Sequence, residues 1–286
     1  MKMHKTLEIT LLVLLGCMLA VLFWACVPGR KTVPVVTVSI LPQKWLVEEL
    51  MGQNRVRVQV MVPAGSGPES YDPTPRDLMS LSRSDVYFSV GDLGFERAWI
   101  PRFREQNGTL PVVEMGEYVS KMSDDDGNEA DPHLWTTPLN MKSMASVTAA
   151  ALVRFFPEDK DSITARLSAL DEKLDAMHRN FSRLAVMAPS KTFVIYHPAL
   201  SYLARDYGMT QLSVEQDHKE PSVSQLQALV EATKKSDAKV LLIQQELDVR
   251  LVESFAQETQ LRVVRINVLS PDWETEMKRI MLELTR

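Results

Sequence analysis

Thr192-Phe193-Val194-Ile195-Tyr196-His197-Pro198 is the stretch on which the reading of this chain turns. Five consecutive β-branched or aromatic residues form a strand. The proline that follows starts a helix over Leu200 to Tyr207. A strand passing directly into a helix is the βα unit of a parallel sheet, and open α/β sheets bind their ligands beyond the carboxyl ends of their strands. His197 stands at that end, so its imidazole is expected to point into a cleft.

The same rhythm runs in both directions. Val35 to Ile40, Val56 to Val62, Val86 to Val90 and Pro111 to Val113 read as strands in the first half. Amphipathic stretches at Lys44 to Met51, Arg76 to Leu81 and Glu96 to Gln106 lie between them. The second half repeats it, with strands at Thr192 to Tyr196, Met209 to Leu212, Val240 to Ile243 and Arg262 to Ile266, and helices near Val223 to Lys235, Val249 to Glu258 and Trp273 to Leu284. The fold class is therefore α/β, with two Rossmann-like lobes of about four strands each. From Leu139 to Met187 no strand pattern occurs; past Pro157, Leu167, Leu170, Leu174, Met177, Phe181 and Leu184 keep a helical period. At 1.5 Å per residue, 158–187 extends roughly 45 Å, long enough to link two lobes; two ordinary helices packed in one domain are the alternative. The expected organisation is a leader (1–26), a first lobe (33–157), a linking helix (158–187) and a second lobe (188–286), with the site in the cleft between lobes.

Composition narrows the chemistry. The 286 residues are 45% hydrophobic and 24% charged, and 32 basic against 37 acidic residues give a net charge of -5 with no long like-charge block. That balance excludes a nucleic-acid footprint. Lys2 and Lys5 precede nineteen uncharged residues, Ile9 to Val27, which read as an export leader or an uncleaved anchor. Phe23-Trp24-Ala25-Cys26 resembles a lipoprotein cleavage site, with Leu14-Leu15-Gly16-Cys17 as a second candidate, so the body is expected outside the cytoplasm, tethered through a lipidated Cys26. Cys17 and Cys26 are the only cysteines. The body thus has no thiolate, and any metal ligand in it must be nitrogen or oxygen.

Five histidines make each placement readable. His4 falls in the leader, and His178 reads as a surface or packed residue of the long helix. His133, in Asp131-Pro132-His133, follows the fourth strand after a polar loop; alone it would be a cap. Glu69, in Pro68-Glu69-Ser70-Tyr71, follows the second strand; alone it would be a solvated carboxylate. Taken jointly with His197, about 64 residues further on, these form a ligand set that only a fold can assemble. Imidazole favours borderline ions such as Zn²⁺, with carboxylates completing the shell. Glu69 and the region Asn267 to Asp272 supply the oxygen candidates.

These residues resemble the zinc and manganese class of solute-binding proteins of ABC transporters, also described as metal-binding lipoproteins or adhesins. The resemblance covers nearly the whole body. Gly65 to Asp77 is similar to that family's first ligand loop, accompanied by Val90-Gly91, Phe95-Glu96 and Trp99. Asp131-Pro132-His133-Leu134-Trp135 and Tyr196-His197-Pro198-Ala199 are similar to the second and third motifs, and Lys219-Glu220-Pro221-Ser222 to a loop of the second lobe. Glu69 stands where the family has a histidine, and Asn267 where it has an aspartate. Asn267 offers only an amide oxygen, so Asp272 or water is the alternative fourth partner. His218 reads as a solvated loop residue, and the acidic run Asp124 to Glu129 as a solvated turn or a cation-attracting rim.

The resemblance implies a monomeric binding protein, not an enzyme, that captures Zn²⁺, with Mn²⁺ as the alternative ion, and hands it to a membrane permease. The metal residues are Glu69, His133, His197, Asn267 and Asp272. Since imidazole must be neutral to bind, affinity is expected to fall below about pH 6.5. The rivals are a zinc-dependent hydrolase, for which His-Glu-x-x-His is missing, and an adhesion or scaffold protein with a degenerate site.

Overall fold

The computed structural model describes residues 33–106, 108–123, 130–215, 222–245 and 250–286. The leader with both cysteines, the acidic run Asp124 to Glu129, and His218 with Lys219 to Pro221 lie outside them. Two four-stranded sheets, each entirely parallel, hold the strands among these residues. The first comprises β1 (Val35–Val38), β2 (Arg57–Val60), β3 (Val86–Ser89) and β4 (Val112–Glu114), in the order β2-β1-β3-β4. The second repeats that order as β6-β5-β7-β8, from β5 (Thr192–Ile195), β6 (Thr210–Ser213), β7 (Val240–Gln244) and β8 (Arg262–Ile266).

Sequence explains which strands are central. Val35–Val38, Val86–Ser89 and Val240–Gln244 are buried along their whole length, as a parallel strand covered on both faces requires. Arg57–Val60, Thr210–Ser213 and Arg262–Ile266 carry polar residues and stay partly exposed at the sheet edges. Register is continuous across the sheets, with Val36 beside both Val58 and Val86, and Val194 beside both Leu212 and Leu241. In each sheet the chain leaves its first strand in opposite directions, so β1/β3 and β5/β7 are the switch points at which α/β folds place ligands.

The helices are α1 (Leu41–Met51), α2 (Pro75–Leu81), α3 (Gly94–Gln106), α4 (Pro138–Phe155), α5 (Lys160–Met187), α6 (Ser201–Tyr207), α7 (Val223–Lys235), α8 (Arg250–Thr259) and α9 (Trp273–Leu284). Several strands end one or two residues short of their apolar runs. Helix α1 begins three residues before its periodic pattern, because Pro42 falls in the first turn, where a missing N–H costs nothing.

Pro157–Asp159 forms a short 3-10 turn, and α5 then runs 28 residues, about 42 Å. Its buried stripe, Ile163, Leu170, Leu174, Met177, Phe181 and Ala185, packs along α4. The same helix reaches α1 on the first lobe and α6 and α9 on the second, so it links the two. Pro34–Arg286 forms one compact unit. A single apolar core includes Val36 and Phe88 of the first sheet, Leu174 of α5, and Phe193 and Leu242 of the second. A smaller cluster around Val194, Ile243, Val230 and Phe255 fills the other face of the second sheet.

Tryptophans tie the lobes together. Trp135 Nε1 donates to Val268 O at 2.8 Å, and Trp273 Nε1 donates to Trp135 O at 2.7 Å, with both rings buried. Lys173 on α5 reaches Glu49 and Glu274, each at 2.9 Å, one from each lobe.

Candidate metal centre

Glu69 lies in the loop after β2, and the start of α3 holds that loop. Phe95 N donates to Pro68 O at 3.3 Å, and the Phe95 ring meets Tyr71 edge-on at 6.0 Å. Helix α3 is fixed in turn by Glu96, whose fully buried carboxylate accepts from Val90 N and Gly91 N at 2.8 Å each and from the Ser39 hydroxyl. Burial pushes the Glu96 carboxyl up to about 7 against these bonds. Gly94 touches the loop directly. A Cβ there would stand 2.1 Å from the Glu69 carbonyl oxygen, a distance only backbone movement can relieve. Gly94→Ala is therefore expected to weaken metal binding roughly 10- to 100-fold by displacing Glu69 and to cost about 1–3 kcal/mol of stability. Gly108→Ala, whose Cβ meets nothing nearer than 3.5 Å, is the control expected to change neither in melting and chelator-competition measurements.

His133 enters from the segment between β4 and α4. Asp131 Oδ1 accepts from His133 N at 2.8 Å and faces His133 Nδ1 at 2.9 Å. Tyr202 of the second lobe donates to Asp131 O at 2.8 Å, and the Trp135 ring lies 5.4 Å from the imidazole. His197 follows β5 at the switch point of the second sheet. Gln244, at the end of β7, holds its backbone, accepting from His197 N at 3.3 Å and donating to His197 O at 2.9 Å. Glu215 Oε2 faces its Nδ1 at 3.1 Å.

A carboxylate can only accept, so Asp131 and Glu215 each take the Nδ1–H of an imidazole and leave the lone pair on Nε2. Those two Nε2 atoms lie 3.2 Å apart, and Glu69 Oε1 lies 3.4 Å from His133 Nε2 and 3.7 Å from His197 Nε2. Three acceptors thus converge on one point, an arrangement only a cation satisfies. Tetrahedral Zn²⁺ with bonds of 2.0–2.1 Å needs ligand separations of roughly 3.3–3.4 Å, whereas an octahedral ion at the same bond length needs about 2.8–3.0 Å. The edges of the triangle, 3.2, 3.4 and 3.7 Å, lie nearer the tetrahedral value than the octahedral one.

Without a metal, protons answer the same field. Burial disfavours the charged form of His133, but the bonds and charges of Asp131 and Glu69 outweigh it and raise the ring to about 9. Burial also lowers His197, and Glu215 and Glu69 overcome it, raising its pKa. Burial pushes Glu69 up, while hydrogen bonds from both imidazoles hold it well below the ordinary carboxylate range.

A cavity of about 330 Å³ surrounds this triad, bounded by the Gly67–Ser70 loop, Trp135, Glu215, Gln244 and Asn267–Leu269. Glu69, His133 and His197 form the group able to hold a metal among the described residues. Asn267 reaches the cavity wall, with its Oδ1 accepting from Leu269 N at 3.0 Å in a local turn. Asp272 lies apart from the triad. Its carboxylate caps α9 by accepting from Thr275 N, and it is exposed to solvent rather than turned to the cavity. His178 pairs with Tyr207 OH at 3.2 Å as a helix residue. Glu215 carries no signal in the sequence: a carboxylate after an edge strand looks solvated there.

Comparison with known proteins gives a consistent picture. The family model described as zinc-uptake complex component A, periplasmic, matches residues 36–281. A putative metal-binding protein of Chlamydia muridarum is 27% identical over 196 residues, covering 67% of each chain. Zinc-binding lipoprotein AdcA of Streptococcus pneumoniae is 24% identical over 238 residues, 77% of this chain and 47% of that one. The chain thus spans about half the length of the AdcA relatives it matches. The crystal structure of a ZnuA deletion mutant with zinc bound superposes with a TM-score of 0.83 at 27% identity, over 89% of this chain and 97% of that one.

Proposed function

Because this chain belongs to the family of the periplasmic zinc-uptake complex component A, we propose that it is an extracytoplasmic solute-binding protein that captures Zn²⁺ between its lobes and delivers it to an ABC-transporter permease. Its function is binding and delivery, not catalysis. One observation carries this reading: three acceptor atoms lie 3.2–3.7 Å apart, and the second nitrogen of each imidazole is engaged by a carboxylate. Glu69, His133 and His197 bind the ion, and Asn267 or water completes the shell. The first lobe (33–157) brings Glu69 and His133, the second (188–286) brings His197, and 158–187 links them. The protein acts as a monomer, held at the membrane through a lipid on Cys26.

Competition between Zn²⁺ and Mn²⁺ for the purified protein tests this. One Zn²⁺ per chain, held against an excess of Mn²⁺, is the expected result, since two imidazole nitrogens suit Zn²⁺ and the edges of the triangle lie nearer the tetrahedral value. Preference for Mn²⁺ would move the cargo to the octahedral ion, and no stoichiometric metal would favour a scaffold.

A further inference from the structure

We propose that Glu215 is a positioning residue of the zinc site, acting through His197 by fixing the tautomer and plane of its imidazole. The proposal rests on the reading of the site as a zinc site. Glu215 lies just past β6, yet its backbone is not free there. Val214 N donates to Ile195 O and Glu215 N donates to Tyr196 O, each at 2.9 Å, so the β5–β6 ladder continues two residues beyond the strand and brings Glu215 alongside His197. Its side chain turns back to the ring, 3.1 Å from Nδ1, and is 18% exposed.

A neutral imidazole has one N–H and one lone pair, and the partner of one nitrogen decides what the other presents. With Nδ1–H on Glu215, the lone pair sits on Nε2, which faces His133 Nε2 and Glu69 Oε1. Without that acceptor the proton can move to Nε2, where it blocks the metal, and the ring can turn about its bond to Cβ.

Asp131 supports His133 in the first lobe but also holds its backbone, so its loss would disturb the chain itself. Glu215 touches the ring while Gln244 holds the backbone of His197. A substitution at Glu215 therefore separates ring orientation from loop structure.

A double-mutant cycle in the full-length protein, read by calorimetric and chelator-competition titration with Zn²⁺, tests the proposal. Glu215→Ala, which removes the acceptor, is expected to weaken zinc binding by about 10- to 100-fold while leaving metal-free melting nearly unchanged. In a His197→Ala background the same substitution is expected to change affinity by less than about twofold, because the ring through which it acts is gone. An equal loss in both backgrounds would show that Glu215 acts by charge alone and overturn the proposal, as would unchanged affinity in the parent. A parent that binds no stoichiometric zinc would overturn the reading of the site itself.

Discussion

His133→Ala is expected to lower zinc affinity by roughly 100- to 1,000-fold. A zinc site contributes about 10–16 kcal/mol in total, so one donor of four accounts for about 2.5–4 kcal/mol. His133 carries more than its share of the surrounding structure. Its ring is buried, faces Asp131 through one nitrogen and the triad through the other, and packs against Trp135. Truncation takes the imidazole from Asp131, which is only 6% exposed and keeps the backbone N–H of residue 133 and the Ser201 hydroxyl, and losing one hydrogen bond to a buried charged group costs about 1.5–3 kcal/mol. Metal-free melting should therefore fall too, and affinity alone would confuse the two effects. The zinc-induced rise in melting temperature separates them. At free zinc 1,000-fold above Kd the parent gains about 4.1 kcal/mol, roughly 8–16 °C for a chain of this size, and His133→Ala should lose most of that gain. A full thermal shift in the variant would remove His133 from the ligand set.

The strands and helices were legible because each β-branched run ends at a turn and each helix keeps its period. Central strands such as Val240–Gln244 read as unbroken apolar runs because parallel sheets bury both faces. His133 and His197 were legible only together: each alone reads as a cap or hydrogen-bonding residue, and it is the convergence of segments beyond the strand ends that puts them in one group with Glu69. Glu215 was hidden because its placement depends on the ladder between β5 and β6 extending past Ser213, a tertiary fact with no local signal. Asp272 shows the reverse case. An Asp three residues before Thr275, just ahead of the apolar run from Trp273, is an N-cap pattern, and that local signal outweighs its nearness in sequence to Asn267. Asn267 likewise spends its side-chain oxygen on Leu269 N, the turn habit of its residue type.

The His133 segment also shows how lobes and ligands divide. By chain order it belongs to the first lobe, yet Tyr202, Trp273 and Val268 of the second lobe hydrogen-bond to it on both sides of the imidazole. The two histidines are thereby held in one framework, whereas Glu69 depends on the Gly94–Glu96 turn of the first lobe. The dihistidine pair should persist through any relative motion of the lobes that shifts Glu69.

Zinc affinity is expected to keep rising with pH well above neutrality, by about tenfold per pH unit for each proton displaced. Sequence alone places the fall below pH 6.5, the ordinary histidine value; the surroundings of His133 move it upward. With His133 at about 9 and His197 also raised, the metal-free site carries at least one proton at pH 7 that Zn²⁺ must expel. The sign follows from linkage. A histidine raised in the folded state stabilises the metal-free protein fully below its unfolded value near 6.5, and this contribution is lost as pH rises through about 9. Glu69, held low, contributes above its unfolded value near 4.5 and loses that contribution only as pH falls. Between pH 6.5 and 9, then, metal-free stability should decline as three unprotonated acceptors come to face one another, while the zinc-loaded form holds. The thermal shift produced by zinc should widen over that interval. Calorimetry at pH 7 in buffers of different ionisation enthalpy should show at least one proton released per zinc. An affinity that is flat above pH 7, with no proton released, would mean that Asp131 and Glu69 do not hold His133 in its charged form, and that the converging acceptors are relieved in some way other than by a proton.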